Sequence, residues 1–237
     1  MAIAKKSNPF EDAIVRYRDD REVLPYTQSG NTDWHDGQHI DVWEALVYTD
    51  SACADAVPNC GMVKLLYLNE SRHISKANRG TGKNDQWERE HVWPKSRGFK
   101  NQSQDGYTDL HHLRPADRNL NGKHSNYGYD MGGVTVMDKL ADGSEVPTGA
   151  KSDLANKSFE PTDQAKGQIA RMIFYMAVRY EVGDNGGAEK MPDLFLKDEN
   201  GRVKEPWIGD LCTLITWNNS FGPTDFERRR NDRIMEL

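Results

Sequence analysis

The sequence predicts an α+β fold, mostly helical overall, in which helices surround a small core of strand, loop, strand and helix. Three observations point there. The stretch from Trp87 to Tyr127 holds four of the seven histidines, and two short β-type runs within it, about Glu90 to Trp93 and Thr108 to Leu113, each end at a proline. Between Ala165 and Glu181, the residues Ala165, Ile169, Met172, Ile173, Met176 and Tyr180 recur at helical spacing, as on a helix with one buried face. Near the end, Thr224 and Glu227 form a capping-box pattern that opens a charged helix. The chain has 237 residues and no Gly/Ser/Pro-rich linker, so a single domain over residues 1–237 is expected.

Taken in order, Pro9 to Arg18 reads as a short helix and Leu24 to Asp36 as turn-rich. His39 to Tyr48 is a helix that turns Ile40, Trp43, Leu46 and Val47 inward. Met62 to Leu68 reads as a buried strand and Asn69 to Asp85 as a polar loop. Within the histidine-rich stretch, Pro115 suits a first helical turn, where its missing N–H costs nothing, and Asp117 complements the positive helix start. Asn119 to His124 is therefore expected to be helical. Val134 to Leu140 turns back at Asp142 and Gly143 as a surface hairpin. Gly183 to Gly187 breaks the long helix, and Leu211 to Trp217 begins another. The arginines at 228, 229, 230 and 233 read as the solvated face of the terminal helix.

Net charge is −6, but its distribution carries more information than its sum. From Arg89 to His124 there are seven Lys and Arg against four Asp and Glu, so this window is +3 and the rest of the chain −9. Cationic charge gathers where the histidines are. No run reaches the roughly 18 apolar residues of a membrane span, and Met1 to Phe10 lacks the apolar segment of a secretory signal. Of the three cysteines, Cys53 and Cys60 flank a short loop, as either a local disulfide or two thiols, and Cys212 lies in an apolar run.

Hydrolysis of a phosphodiester needs a base to activate water, a cation to offset developing charge, and stabilisation of the leaving oxygen. An imidazole with an ordinary pKa near 6.5 is a competent base at neutral pH. A carboxylate and an amide oxygen suit Mg²⁺, which prefers hard donors and keeps most of its waters. His91, Glu90 and Asn121 offer these groups. Adjacent strand residues face opposite ways, so Glu90 and His91 suit two sides of one substrate better than joint chelation of one ion.

The blocks Arg89-Glu90-His91-Val92-Trp93-Pro94-Lys95-Ser96, Asp109 to Pro115, Asn121-Gly122-Lys123-His124-Ser125-Asn126, Ile169 to Tyr180 and Glu227 to Asp232 resemble, in order, the endonuclease I family of ββα-metal (His-Me finger) nucleases, which includes bacterial periplasmic and extracellular enzymes. The resemblance implies a ββα-metal core at about residues 87–127. It also implies a metal-dependent endonuclease that cuts DNA, and often RNA, with little sequence preference, leaving 5′-phosphate and 3′-hydroxyl ends. Carried over by position, His91 is the general base, and Glu90 and Asn121 hold Mg²⁺, with Mn²⁺ or Ca²⁺ as substitutes. Arg97, Arg114 and Lys123 are the candidate phosphate contacts. A monomer acting on nucleic acid outside the cytoplasm, with no membrane partner, is the matching expectation.

A zinc module that binds nucleic acid without cutting it is the competing expectation, with His91, His111, His112, His124, Cys53 and Cys60 as possible ligands. It is disfavoured because the cysteines are seven apart and His111 and His112 point apart. A serine or cysteine hydrolase lacks any nucleophile motif such as G-x-S-x-G.

Overall fold

The computed structural model describes residues 24–27, 40–53, 60–181, 191–201 and 203–237. The expected helix at Pro9 to Arg18, most of the turn-rich Leu24 to Asp36, His39 and the break at Gly183 to Gly187 lie outside the described residues. Helix α1 spans Val42–Thr49. It begins after Asp41, whose Oδ1 accepts the Trp43 N–H at 2.7 Å, while Glu44 reaches back to the Asp41 N–H at 3.3 Å. Each bond satisfies a backbone donor that the first turn leaves unpaired.

Strand β1 (Met62–Lys64) pairs antiparallel with β2 (Ser71–His73). The apolar run that predicts a strand to Leu68 therefore extends past it. Leu65, Leu66 and Tyr67 are buried because the chain turns inside the core, with Leu65 N–H donating to Glu70 O at 3.0 Å and Leu66 N–H to Pro115 O at 2.9 Å. A buried strand and a buried turn look alike in hydropathy alone.

Strands β3 (Trp87–His91) and β4 (Leu113–Asp117) form an antiparallel ribbon in which Glu90 faces Arg114 and His91 faces Leu113. Helix α2 (Arg118–His124) follows directly. The order of strand, loop, strand and helix is as expected, but both strands are displaced. β4 starts where the expected run ends, because Asp105–Tyr107 form a 3₁₀ turn and Asp109 Oδ1 accepts the His111 N–H at 3.0 Å. Pro115 lies within β4 rather than in the helix, which a two-stranded ribbon tolerates because both of its strands are edges. Asp117 caps α2, accepting the Asn119 N–H at 2.7 Å and the Leu120 N–H at 3.1 Å.

Strands β5 (Gly128–Tyr129), β6 (Val134–Lys139), β7 (Glu145–Asp153) and β8 (Ser158–Glu160) make one sheet in the order β5, β8, β7, β6. The hairpin expected at Asp142 and Gly143 is its β6–β7 edge. Helix α3 (Asp163–Arg179) buries Ala165, Ile169, Met172, Ile173 and Met176, and Tyr180 follows them into the core. Strands β9 (Phe195–Leu196) and β10 (Trp207–Ile208) pair in parallel, and α4 (Leu211–Ser220) packs on α3. The main core joins Trp93, Phe99, Tyr129, Phe159, Ile169 and Met176. Helix accounts for 32% of the described residues, so the molecule is α+β but not mostly helical. Strands of two or three residues leave too little alternation to be read in advance.

The closing helix α5 (Asp225–Glu236) carries the expected Thr224 and Glu227 capping box. Arg228 is exposed and Arg229 partly so, as expected of a solvated face, but Arg230 and Arg233 correct that expectation. Arg230 is buried, with Nε 3.0 Å from Asp50 Oδ2 and Nη2 donating to the carbonyls of Leu110 at 2.6 Å and Leu113 at 2.7 Å. Arg233, also buried, donates to Tyr48 O at 3.3 Å and to Cys53 O at 3.2 Å.

Cys53 and Cys60 are joined by a disulfide. The bond removes conformations from the unfolded chain, so Cys53→Ala with Cys60→Ala is expected to lower stability by about 2 kcal/mol. Denaturant unfolding followed by tryptophan fluorescence tests this, and an unchanged midpoint refutes it.

Candidate active site

Strand alternation places Glu88 and Glu90 on one face of β3 and Arg89 and His91 on the other. The end of this strand and the side of α2 open into a cleft of about 470 Å³ lined by Glu88, Arg89, Glu90, His91, Lys95 and Asn121, among others. Three of the six are the residues that sequence chemistry singles out.

His91 is only 7% exposed. Its Nε2 lies 2.9 Å from the Tyr107 carbonyl, which can only accept, so Nε2 carries the proton and Nδ1 keeps a lone pair. This tautomer follows from the hydrogen-bond network. The Tyr107 ring meets the imidazole edge to face at 5.0 Å, and Tyr26 stands 5.8 Å away. Burial, and then the neighbouring His112, push the His91 pKa well below its ordinary value, so the ring is neutral at neutral pH. His112 is itself fixed between Gly106 O, 2.7 Å from Nε2, and the Trp93 N–H, 3.4 Å from Nδ1. It anchors the turn that presents the Tyr107 carbonyl. His111 points elsewhere, its ring 4.4 Å from that of Tyr175.

Glu90 is 3% exposed and held from behind. Tyr67 donates its hydroxyl to Glu90 Oε1 at 2.6 Å, and Tyr129 donates to Val92 O at 3.0 Å beside it. Burial and the Glu90 charge raise both phenol pKa values well above 10, so both remain donors. His124 Nδ1 is 2.6 Å from the same Oε1, although its alignment is not that of a hydrogen bond.

Asn121 projects from α2, and its Nδ2 donates to Glu88 Oε1 at 2.9 Å. The other Glu88 oxygen accepts from Asn78 Nδ2 at 3.0 Å. With its NH₂ committed to Glu88, Asn121 has its amide oxygen left to face a ligand. Glu88, Glu90 and Asn121 thus offer oxygen donors and no thiolate, which fits a hard divalent cation such as Mg²⁺ or Ca²⁺. The zinc set does not assemble: Cys53 and Cys60 are bonded to each other, and His111 and His112 diverge.

The family model for endonuclease I matches residues 26–237, which takes in the whole of this cleft. The chain belongs to the endonuclease I family. Over 235 residues it is 42% identical to an extracellular ribonuclease of Bacillus amyloliquefaciens, covering 99% of this chain and 69% of the relative. It is 41% identical over 198 residues to an extracellular ribonuclease of Bacillus subtilis (strain 168), covering 84% and 61% respectively. An endonuclease-1 of Buchnera aphidicola subsp. Baizongia pistaciae is 28% identical over 130 residues, or 55% of this chain and 42% of that protein.

In this endonuclease I member, two of the three expected phosphate contacts are committed elsewhere. Arg97 is 0% exposed and donates through Nε to Asn126 O at 2.9 Å and through Nη1 to Trp207 O at 2.8 Å. Burial lowers its pKa to about 10, which still leaves it charged. Arg114 is 1% exposed and donates to Asp50 Oδ1 at 2.5 Å and Gln168 Oε1 at 2.9 Å. Neither guanidinium can meet a phosphate at the surface, so the expectation is corrected for both. Lys123 is exposed on the last turn of α2, lining a groove of about 1290 Å³ that shares Asn78, Glu88, Gly122 and Ser125 with the smaller cleft.

Sequence reasoning passed over Glu88, Tyr67, Arg89 and Lys95. The signal for Glu88 and Arg89 was strand parity, since each stands two residues before a chosen residue.

Proposed function

We propose that this chain is a metal-dependent endonuclease built on a ββα-metal core of β3, β4 and α2, hydrolysing DNA and RNA with little sequence preference. The observation that carries the reading is the His91 tautomer. Its protonated nitrogen is tied to a carbonyl, which leaves Nδ1 as the basic one, and His91 lines a cleft that also holds the oxygen donors Glu90 and Asn121. His91 Nδ1 accepts a proton from water as the water oxygen bonds to phosphorus. The bond from phosphorus to the 3′-oxygen breaks with its electron pair, and that oxygen takes a proton from solvent. The ends are a 5′-phosphate and a 3′-hydroxyl. Glu90 and Asn121 would hold a divalent cation, with Glu88 orienting the amide. When bound, such a cation supplies Lewis-acid charge to the phosphate oxygens.

The name extracellular ribonuclease, printed for two relatives, supports RNA as a substrate and an extracellular site of action, and endonuclease-1 supports internal cleavage. The chain spans 61% of the Bacillus subtilis relative, so activity is to be measured on this chain itself. No helix among the described residues is long and apolar enough to cross a membrane. The decisive assay incubates purified protein with supercoiled plasmid or RNA, with Mg²⁺ or with EDTA. Degradation only with Mg²⁺ is expected, and intact substrate in every lane would falsify the proposal.

Glu90→Ala and Asn121→Ala are each expected to shift half-maximal activation to higher Mg²⁺ and to weaken Mn²⁺ binding measured directly by calorimetry. Loss of an outer partner should do the same more mildly, so Tyr67→Phe is expected to cost about tenfold in metal affinity. Unchanged metal titrations in Glu90→Ala and Asn121→Ala would remove both residues from the metal site.

The pH response follows from the lowered His91 pKa. A protonated ring cannot accept a proton, so kcat/KM is expected to rise with pH along a limb centred below the ordinary value of about 6.5 and to be flat through neutrality. Stability follows the same sign. The unfolded chain protonates His91 near pH 6.5 and the folded one does not, so this contribution is full above that pH and shrinks as pH falls below it. A limb centred at pH 7 or higher excludes His91 as the base.

A further inference from the structure

Arg97 and Arg114 are sealed inside the molecule, yet an arginine does line the cleft. Arg89 stands two residues before His91 on β3, so both side chains leave the strand on the same face. Its guanidinium lies 3.4 Å from the ring centroid of Tyr26 and 4.2 Å from that of Trp43. Nη1 donates to the Tyr26 carbonyl and, at 3.0 Å, to Thr27 Oγ1. Nε and Nη2 donate to none of the described residues.

Exposure separates Arg89 from the other two arginines: it is only partly buried, whereas they are sealed from solvent. Aromatic contact fixes the plane of the guanidinium, and one nitrogen tethers it. The remaining donors form an edge that matches a pair of anionic oxygens, the geometry in which arginine binds phosphate through two parallel hydrogen bonds. Glu88 and Glu90, the carboxylates of the same cleft, leave β3 on the opposite face and do not take up this edge. Lys95, the other cation lining the cleft, is exposed and donates to the Tyr107 hydroxyl at 3.0 Å.

We infer that Arg89 is the phosphate-binding residue of the cleft, gripping the non-bridging oxygens of the phosphodiester presented to His91. The inference rests on the nuclease reading above. It gives the two faces of β3 separate tasks: Glu88 and Glu90 serve the metal side, whereas Arg89 and His91 serve the phosphate and the attacking water. Substrate is thereby held on the strand that carries the base, not on the loop between the strands.

The test measures binding of a short fluorescent single-stranded DNA to His91→Ala protein over a salt series, with and without Arg89→Ala. A contact to one phosphate on a single strand contributes about 0.7 to the slope of log affinity against log salt, so Arg89→Ala is expected to weaken binding and reduce the slope by about that amount. In the His91-containing enzyme, Arg89→Lys keeps the charge but not the fork. It is expected to lower kcat/KM about tenfold, the loss of one of two charge-assisted hydrogen bonds, in a protein that still melts cooperatively. An unchanged salt slope in Arg89→Ala overturns the inference. Should that variant fail to fold, wild-type kcat/KM in folded Arg89→Lys overturns it instead. Plasmid cleavage by the unaltered protein together with either result removes Arg89 alone; an unaltered protein that neither binds nor cuts nucleic acid removes the nuclease reading as well.

Discussion

Replacing His91 with alanine is expected to lower kcat/KM by about 10²- to 10⁴-fold, the usual contribution of a positioned general base, while nucleic-acid affinity stays close to that of the unaltered protein. The base acts as the water proton is transferred, so its loss belongs to the transition state and not to the bound ground state. The ring also packs between Tyr107 and His112, and truncation leaves a gap there. Binding and melting must therefore be measured on the same preparation. Activity and affinity falling by equal factors would mean that His91 shapes the cleft without taking part in the reaction.

The largest expected loss of stability comes from Asp50→Ala, at about 3–5 kcal/mol, or roughly 10 °C in melting temperature. Asp50 is 0% exposed and lies between two buried guanidinium groups, with Oδ1 2.5 Å from Arg114 Nε and Oδ2 3.0 Å from Arg230 Nε. Removing the carboxylate leaves two like charges facing each other without solvent. The cost is mainly their desolvation rather than the attraction lost. Thermal melting of Asp50→Ala beside an exposed control such as Asp142→Ala tests this, and a shift no larger than the control's contradicts it.

The parts of the site legible in the sequence are those that depend on short spacing. Glu90 and His91 fall on opposite faces because neighbouring strand residues must, and Asn121 reaches the same cleft because Asp117 starts a helix immediately after β4. Phosphate-binding arginines were much harder to place, because their role depends on which donors are already occupied. Arg97 and Arg114 lie within the histidine-rich stretch, but Trp207 and Asp50, each far off in sequence, consume them. The terminal arginines show the same limit. A pattern with charge at 228, 229, 230 and 233 reads as solvent-facing until Asp50 and the carbonyls of Leu110 and Leu113 supply buried partners for Arg230. The fold class was readable while its helix content was not, since α3 declares itself by periodicity and strands such as Phe195–Leu196 and Trp207–Ile208 have none to show.

Arg230 bonds to Asp50 across a separation of 180 residues and also to the Leu113 carbonyl at the start of β4. On the ribosome, which delivers the chain from its N-terminus, β3 and β4 emerge long before this clasp. Until α5 is made, Asp50 has one of its two arginines and the β4 end of the ribbon lacks an anchor. The strand that pairs with the one carrying His91 therefore gains this anchor late in the life of the nascent chain.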